Sequence, residues 1–211
     1  ARGESRLDDK RKEKIAYMCN VPAERIISAP DVDSVYDVPL NFEKEGLGTI
    51  LCDLMATKCA ATVSPDGKKW RDFVKKVHTA KKEVRIAVIG KYFETGEYML
   101  ADSYLSVIEA IKYSAYTQNL KPVMTWLNAV EFENNPKKLK ELKKFDGIIV
   151  PGGFGARGVE GKIRAIRYLR ENKIPYLGIC LGMQMMVIEF ARNVLGYKDA
   201  NSREMDEKTP H

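Results

Sequence analysis

From Glu83 onward the chain alternates short, nearly all-apolar runs with longer stretches of helical periodicity, and few folds accommodate that alternation. Val84 to Gly90 reads as a strand covered on both faces, the kind found inside parallel sheets. Tyr98 to Tyr116 carries Leu105, Ile108 and Ile111 at helical spacing, and Pro122 to Leu127 reads as the next strand. Asn135 and Pro136 supply an N-cap and a first-turn proline for a lysine-rich helix whose Leu139 and Leu142 share one face. Phe145 to Val150 is a third strand, Glu160 to Glu171 a helix and Ile174 to Ile179 a fourth strand. Leu181 to Leu195 is a last helix, closed by Gly196. The pattern predicts an α/β domain, a three-layer and mostly parallel sheet with right-handed crossovers. Ligands of such sheets sit beyond the carboxyl ends of the strands, where both glycine-rich turns of the chain fall.

One of those turns is Gly178-Ile-Cys-Leu-Gly-Met-Gln184, with Cys180 at the junction of strand and helix. Small residues two before and two after a nucleophile permit a strained strand-to-helix turn that raises one side chain above the sheet, as in the Gly-x-Ser-x-Gly motif. The free N–H groups and positive end of the following helix favour a thiolate there and can donate to an oxyanion. A cysteine without such flanking glycines reads as a buried structural residue.

The other turn, Pro151-Gly-Gly-Phe-Gly155, runs into Gly153-Phe-Gly155-Ala-Arg-Gly158, which has the GxGxxG spacing of a dinucleotide site. That fingerprint belongs on the first strand of its unit, followed by a strand ending in an acidic residue. Here it follows the third strand, and the next ends at Gly178-Ile-Cys180. A phosphate-binding P-loop is excluded too, because Gly161-Lys162 has no glycine five residues earlier and no Ser or Thr after the lysine. Adjacent glycines after a strand instead let a backbone N–H face a carbonyl held over Cys180, pairing with the N–H of Leu181, or simply make a tight turn.

The first sixty residues differ. Asp8 to Cys19 reads as a charged helix, Arg25 to Ser28 as a short strand, and Pro39 to Cys59 as a helical piece interrupted by Gly46 and Gly48. Thr62 to Gly67 contains the turn-forming Pro-Asp-Gly, followed by a short helix over Trp70 to Val77. The expected organisation is the end of one domain over 1–61, a linker over 62–82 and the α/β domain over 83–211.

The net charge of +6 comes largely from lysines spread along solvated helix faces, so no nucleic-acid partner is expected. No apolar run has the length of a membrane span and the first seven residues hold no signal-peptide core, so a cytoplasmic protein is expected. Cys19, Cys52, Cys59 and Cys180 form no CxxC pair and have only two histidines for company; neither a metal site nor a disulfide is indicated, and reduced thiols are expected.

Taken together, Pro151 to Gly155, Arg157 to Lys162, Arg170 to Gln184, Val187 to Asn193 and Asp199 to Ser202 closely resemble the class I glutamine amidotransferase domain of the CTP synthase family. Lys12 to Ala16, Cys19 to Pro22, Asp31 to Tyr36 and Pro39-Leu40 are similar to the last part of that family's amidoligase domain. The resemblance implies a flavodoxin-like sheet preceded by the C-terminal part of a P-loop-type amidoligase domain. It also implies a two-site reaction: glutamine is hydrolysed at a cysteine, and the ammonia travels to a distant site where ATP and magnesium activate UTP for amination to CTP. GTP would be the allosteric activator, CTP a feedback inhibitor, and the full-length enzyme a homotetramer.

By matching positions the resemblance makes Cys180 the nucleophile. Gly152, Gly153, Phe154, Leu181, Gly182, Met183, Gln184 and Glu204 would form the glutamine and oxyanion site, with Phe154 lining the pocket. Arg157, Gly158 and Glu160 match the GTP-linked lid, Lys14 a contact to UTP or CTP phosphates, and Arg2 and Val32 positions at the ATP site. Arg203 and Met205 replace the Thr and Phe that usually flank the glutamate. Neither His78 nor His211 is placed to serve Cys180 as a base; in the family the His and its Glu partner lie downstream, and the phosphate loop and magnesium ligands upstream. The chain is therefore expected to be an internal piece of a longer enzyme, inactive alone and holding no metal. Two other readings stay open: the glutaminase of another biosynthetic amidotransferase, against which the first sixty residues count, and an inactive regulatory module, against which the intact Cys180, Gly153 and Gln184 count.

Overall fold

A computed structural model describes residues 1–58, 65–90, 104–153 and 157–210. The chain divides into two units, Ala1–His78 and Thr79–His211. No helix among the described residues is long and apolar enough to cross a membrane.

The second unit is built on four parallel strands, β3 (Lys82–Gly90), β4 (Leu120–Asn128), β5 (Gly147–Val150) and β6 (Tyr176–Gly178), in the order β4-β3-β5-β6. This is the start of the flavodoxin-type order, in which the first strand lies inside the sheet. Strand alternation divides the apolar residues between two faces. Ala87, Ile89, Ile148 and Val150 point to one, where they form a core with Ala129, Phe132, Leu142, Ala165 and Leu169. Val84, Ile86 and Ile149 line the other with Val107, Ala110 and Ile111 of helix α5 (Leu105–Thr117). Position 98, where the sequence begins this helix, lies outside the described residues, as do 99 to 103.

Helix α6 (Ala129–Asn134) follows β4 and leads to the lysine-rich segment, which is a 3-10 helix over Pro136–Lys144 rather than an α-helix. Asn135 caps it as expected, its Oδ1 accepting from the Lys137 N–H. A three-residue turn stacks Leu139 directly over Leu142, so the burial pattern satisfies either helix type; Leu142 is fully buried. Helix α7 (Val159–Glu171) starts at Gly158 with φ +77° and buries Ile163, Ile166 and Leu169 at intervals of three. Its Gly161 is required by space, since a Cβ there would lie 1.9 Å from the carbonyl oxygen of Ala129. Helix α8 (Leu181–Asn193) stops two residues short of the expected end.

In the first unit, Asp8 caps helix α1 (Asp9–Cys19), accepting from the Arg11 N–H at 2.7 Å. The strand expected over Arg25 to Ser28 is displaced: Ala23–Arg25 is a 3-10 turn, and the strand is β2 (Ala29–Pro30), paired in parallel with β1 (Arg2–Gly3). The cause is a competing acceptor, because the Ser28 N–H donates to Glu45 Oε2 at 3.1 Å and leaves the ladder. The same carboxylate accepts from Lys12 Nζ at 2.8 Å and faces Arg6. Those hydrogen bonds, Lys12 foremost and then Ser28, hold the Glu45 carboxyl below its ordinary value near 4.5. Helices α2 (Val38–Lys44) and α3 (Leu47–Leu54) are separated at Gly46, φ +74°, whereas Gly48 sits within α3 and interrupts nothing. Helix α4 (Pro65–Thr79) is longer than expected and occupies most of the stretch assigned to a linker. Its Trp70 donates from Nε1 to the Tyr36 carbonyl at 3.0 Å, and Tyr36 and Phe73 meet edge-on. The expectation of reduced thiols fails at Cys52, which is disulfide-bonded; Cys19 and Cys180 are free. A disulfide needs only proximity of two Cα atoms, which sequence spacing neither provides nor forbids.

Candidate active site

The turn from β6 into α8 is built by three close approaches. The Ile179 N–H donates to the Val150 carbonyl at 3.0 Å, which extends the β5–β6 pairing up to the cysteine. Gly182 then lies against the same carbonyl: a Cβ on it would stand 2.0 Å from Val150 O. A Cβ on Gly178 would stand 2.5 Å from the Gly182 carbonyl carbon and 2.6 Å from Met183 N. No side chain fits at either position, so the spacing of glycines around Cys180 follows from the packing of backbone on backbone.

Clamped on both sides, Cys180 adopts φ +53°, ψ −110° at the N-cap of α8. Strain of this kind in a residue other than glycine costs about 1–3 kcal/mol and persists only when the surroundings over-determine it. The thiol is exposed. Beside it, a Cβ on Gly152 would lie 3.4 Å from Cys180 Cβ and 3.9 Å from Sγ, and one on Gly153 3.6 Å from Leu181 Cδ2. The two glycine turns therefore meet at the sulfur. The N–H groups of Leu181 and Met183 have no hydrogen-bond partner among the described residues, whereas Gly182 and Gln184 donate to the carbonyls of Ile179 and Cys180. Free helical N–H groups point toward the N-terminus, past the N-cap residue.

One turn along α8, Gln184 donates from Nε2 to Glu204 Oε2 at 3.3 Å. A carboxylate only accepts, so the amide nitrogen faces it, and Gln184 Oε1 is left buried with no donor. Glu204 is exposed, in a turn held by Ser202 Oγ, and Met205 packs on the cluster of Val159, Ile163, Leu181 and Met185, so the departure from the usual flanking residues leaves local packing intact. Met183 is half-exposed beside them. Phe154 lies outside the described residues.

Of the lid positions, Arg157 is exposed and Gly158 buried, while Glu160 in the first turn of α7 pairs with Arg192 of α8 at 2.9 Å. Arg2 pairs with Ala29 in the β1–β2 ladder and bonds Asp31 at 2.9 Å, whose N–H donates to Gly3 O; Val32, the next residue, is partly buried. Lys14 projects, exposed, from α1. Helix α4 carries His78, hydrogen-bonded to Asp37 at 2.9 Å. No group of three His, Cys, Asp or Glu among the described residues could hold a metal ion.

Two features escape a sequence reading. Arg170 of α7 grips Glu189 of α8, donating from Nη2 at 2.8 Å and from Nε at 3.0 and 3.3 Å, and Glu189 is almost wholly buried. Tyr176 of β6 donates from its hydroxyl to the Gly182 carbonyl at 2.6 Å. The strand expected over Ile174 to Ile179 contains Tyr176, but strand periodicity does not reveal that partner.

Comparison with known proteins agrees with this geometry. Residues 99–211 match the family model described as glutamine amidotransferase class-I, and residues 1–57 the one described as CTP synthase N-terminus. The chain is 50% identical over 211 residues to a CTP synthase of Thermococcus gammatolerans, covering 100% of this chain and 38% of that protein. With the CTP synthase of Pyrococcus furiosus it is 47% identical, covering 100% of this chain and 37% of that one. The chain thus spans about 38% of the length of such relatives. Among solved structures, the glutaminase domain of a Trypanosoma brucei CTP synthase with bound acivicin is similar with a TM-score of 0.55 and 42% identity, over 61% of this chain and 48% of that one.

Proposed function

Because the chain belongs to the class I glutamine amidotransferase family, we propose that its second unit carries a glutaminase centre in which Cys180 attacks the side-chain carboxamide carbon of glutamine. The observation that carries the reading is the strained Cys180, exposed at the carboxyl end of β6 with Gly152 against its sulfur and two unpartnered N–H groups behind it. A C–S bond forms, the carbonyl oxygen becomes an oxyanion held by the N–H groups of Gly153 and Leu181, with the unpartnered N–H of Met183 as a further donor, and its collapse expels ammonia and leaves a γ-glutamyl thioester. Water then releases glutamate. The orphaned Gln184 Oε1 accepts from the substrate ammonium, which Glu204 neutralises.

The match of residues 1–57 to a CTP synthase N-terminus supports a larger reading, in which the full-length protein is a cytoplasmic, homotetrameric C–N ligase that uses ATP and this ammonia to convert UTP to CTP. Within it, Lys14 contacts pyrimidine nucleotide phosphates and Arg2 and Val32 lie at the ATP site. Arg157, Gly158 and Glu160 belong to a lid responsive to GTP, with CTP as feedback inhibitor.

The leaving nitrogen departs as ammonia only if a base takes the Cys180 thiol proton and then returns it as a general acid, and the described part of the second unit contains no histidine for that transfer. The 211 residues alone are accordingly expected to turn glutamine over negligibly. The test is labelling by the glutamine analogue diazo-oxo-norleucine, read by mass spectrometry. We expect slow modification of Cys180 but not Cys19, blocked by L-glutamine and not by D-glutamine. Equal labelling of both cysteines sinks the glutaminase reading, and sustained ammonia release that vanishes in Cys180→Ala sinks the claim of negligible turnover.

A further inference from the structure

We propose that Tyr176 is a positioning residue of the elbow: its hydroxyl, donating to the Gly182 carbonyl at 2.6 Å, fixes the first turn of α8 so that the N–H groups of Leu181 and Met183 stay aimed at the oxyanion position beside Cys180. The proposal rests on the glutaminase reading of Cys180 and assigns a residue that reading does not use.

The geometry is specific. The Gly182 carbonyl belongs to the same peptide group as the Met183 N–H, so a donor on its oxygen polarises that group and strengthens the N–H as a donor. The carbonyl already serves the ladder of α8, and the phenol is therefore a second donor that the helix itself does not need. Tyr176 comes from β6, four residues before Cys180, and its ring packs against both apolar clusters of the unit. Gly182 cannot move toward β5, where Val150 O closes the space, nor toward Gly178, and the hydroxyl bonds its carbonyl oxygen. Burial pushes the phenol far above its ordinary range, so it stays a neutral donor at any working pH. Arg170 and Glu189 are the charged groups sharing the cavity wall with the ring, and they satisfy each other.

The experiment compares two reactions of Cys180 that differ in whether an oxyanion forms. With p-nitrophenyl acetate the thiolate adds to the ester carbonyl, a C–S bond forms, and p-nitrophenolate leaves from a tetrahedral oxyanion. With iodoacetamide the sulfur displaces iodide and no oxyanion arises. For Tyr176→Phe, the burst of p-nitrophenolate that Cys180→Ala lacks should slow roughly three- to tenfold, the worth of one neutral hydrogen bond. Alkylation should change less than about twofold on the same ground. Ile174→Val, which trims the neighbouring wall, should leave the ratio of the two rates unchanged. Equal slowing of both reactions in Tyr176→Phe overturns the proposal, as does loss of the circular dichroism spectrum, which would make the hydroxyl an element of folding alone. A wild-type Cys180 no more reactive than Cys19 removes the reading beneath it.

Discussion

Glycine does different work in the two units. Gly46 in the first has φ +74° and open space around it, so what it provides is a conformation. Gly182 in the second has ordinary helical geometry and no room for one more carbon. The contrast extends to the residues assigned to function. Around Cys180 they are fixed by backbone resting on backbone. In the first unit, Arg2 and Lys14 are exposed cations, and Arg2 is paired, among the described residues, only with a half-exposed Asp31. A site of the first kind is built into the fold, and one of the second kind is finished only by what binds it.

Gly182→Ala should break this comparison most severely if it is wrong. Driving a Cβ into Val150 O is expected to cost about 3 kcal/mol or more in denaturant unfolding and to abolish modification of Cys180. Gly46→Ala, with strain but no clash, should cost about 1–2 kcal/mol and leave Cys180 untouched. Equal losses for the two would refute the distinction.

Arg170→Met comes next. It strands Glu189 without a partner in the interior, which for a fully buried pair costs about 3–5 kcal/mol. Arg170 is itself 37% exposed, and the expected loss in chemical denaturation is discounted to about 2–3 kcal/mol. A change below the scatter of the fit would show that water reaches Glu189.

Glu45 sharpens the comparison through pH. Its carboxyl titrates lower in the folded chain than in the unfolded one, so it contributes stability that is fully present above about 4.5 and is lost as pH falls through the depressed value. The wild type should lose stability more steeply than Glu45→Gln as pH falls below about 4.5, while the two slopes agree at pH 6 and above. Identical slopes in acid would remove Glu45 as the anchor of Lys12 and Ser28. Smallest of all, Arg2→Ala should alter stability by less than about 0.5 kcal/mol, since its pair with Asp31 is solvated. A larger loss would mean that the β1–β2 pairing depends on that side chain.

The second unit was legible because its strands are nearly pure apolar runs and because a glycine forced by close packing is visible as a letter. The family assignment and the parallel α/β architecture expected from the sequence are what the matches and the sheet show. Less could be read where two physical solutions share one pattern. Leu139 and Leu142 fall on one face in an α-helix and in a 3-10 helix alike, so the choice at Pro136–Lys144 was hidden. The strand near Arg25 moved because Glu45, seventeen residues beyond Ser28, takes an amide that a ladder would have used. Arg170–Glu189 and Tyr176–Gly182 join residues across a turn or between helices, and periodicity carries no record of such partners.

Tyr176 touches both apolar clusters, and this bears on how the second unit opens. A helix that rested on one cluster could fray by itself and expose its amides to exchange while the sheet stayed closed. Here α8 cannot lift from β6 without uncovering a ring that also seals the core under β3 and β5. Amide protons of α8 and of the two strands β5 and β6 should then share a single opening free energy, and the nucleophile would inherit the lifetime of the whole sheet.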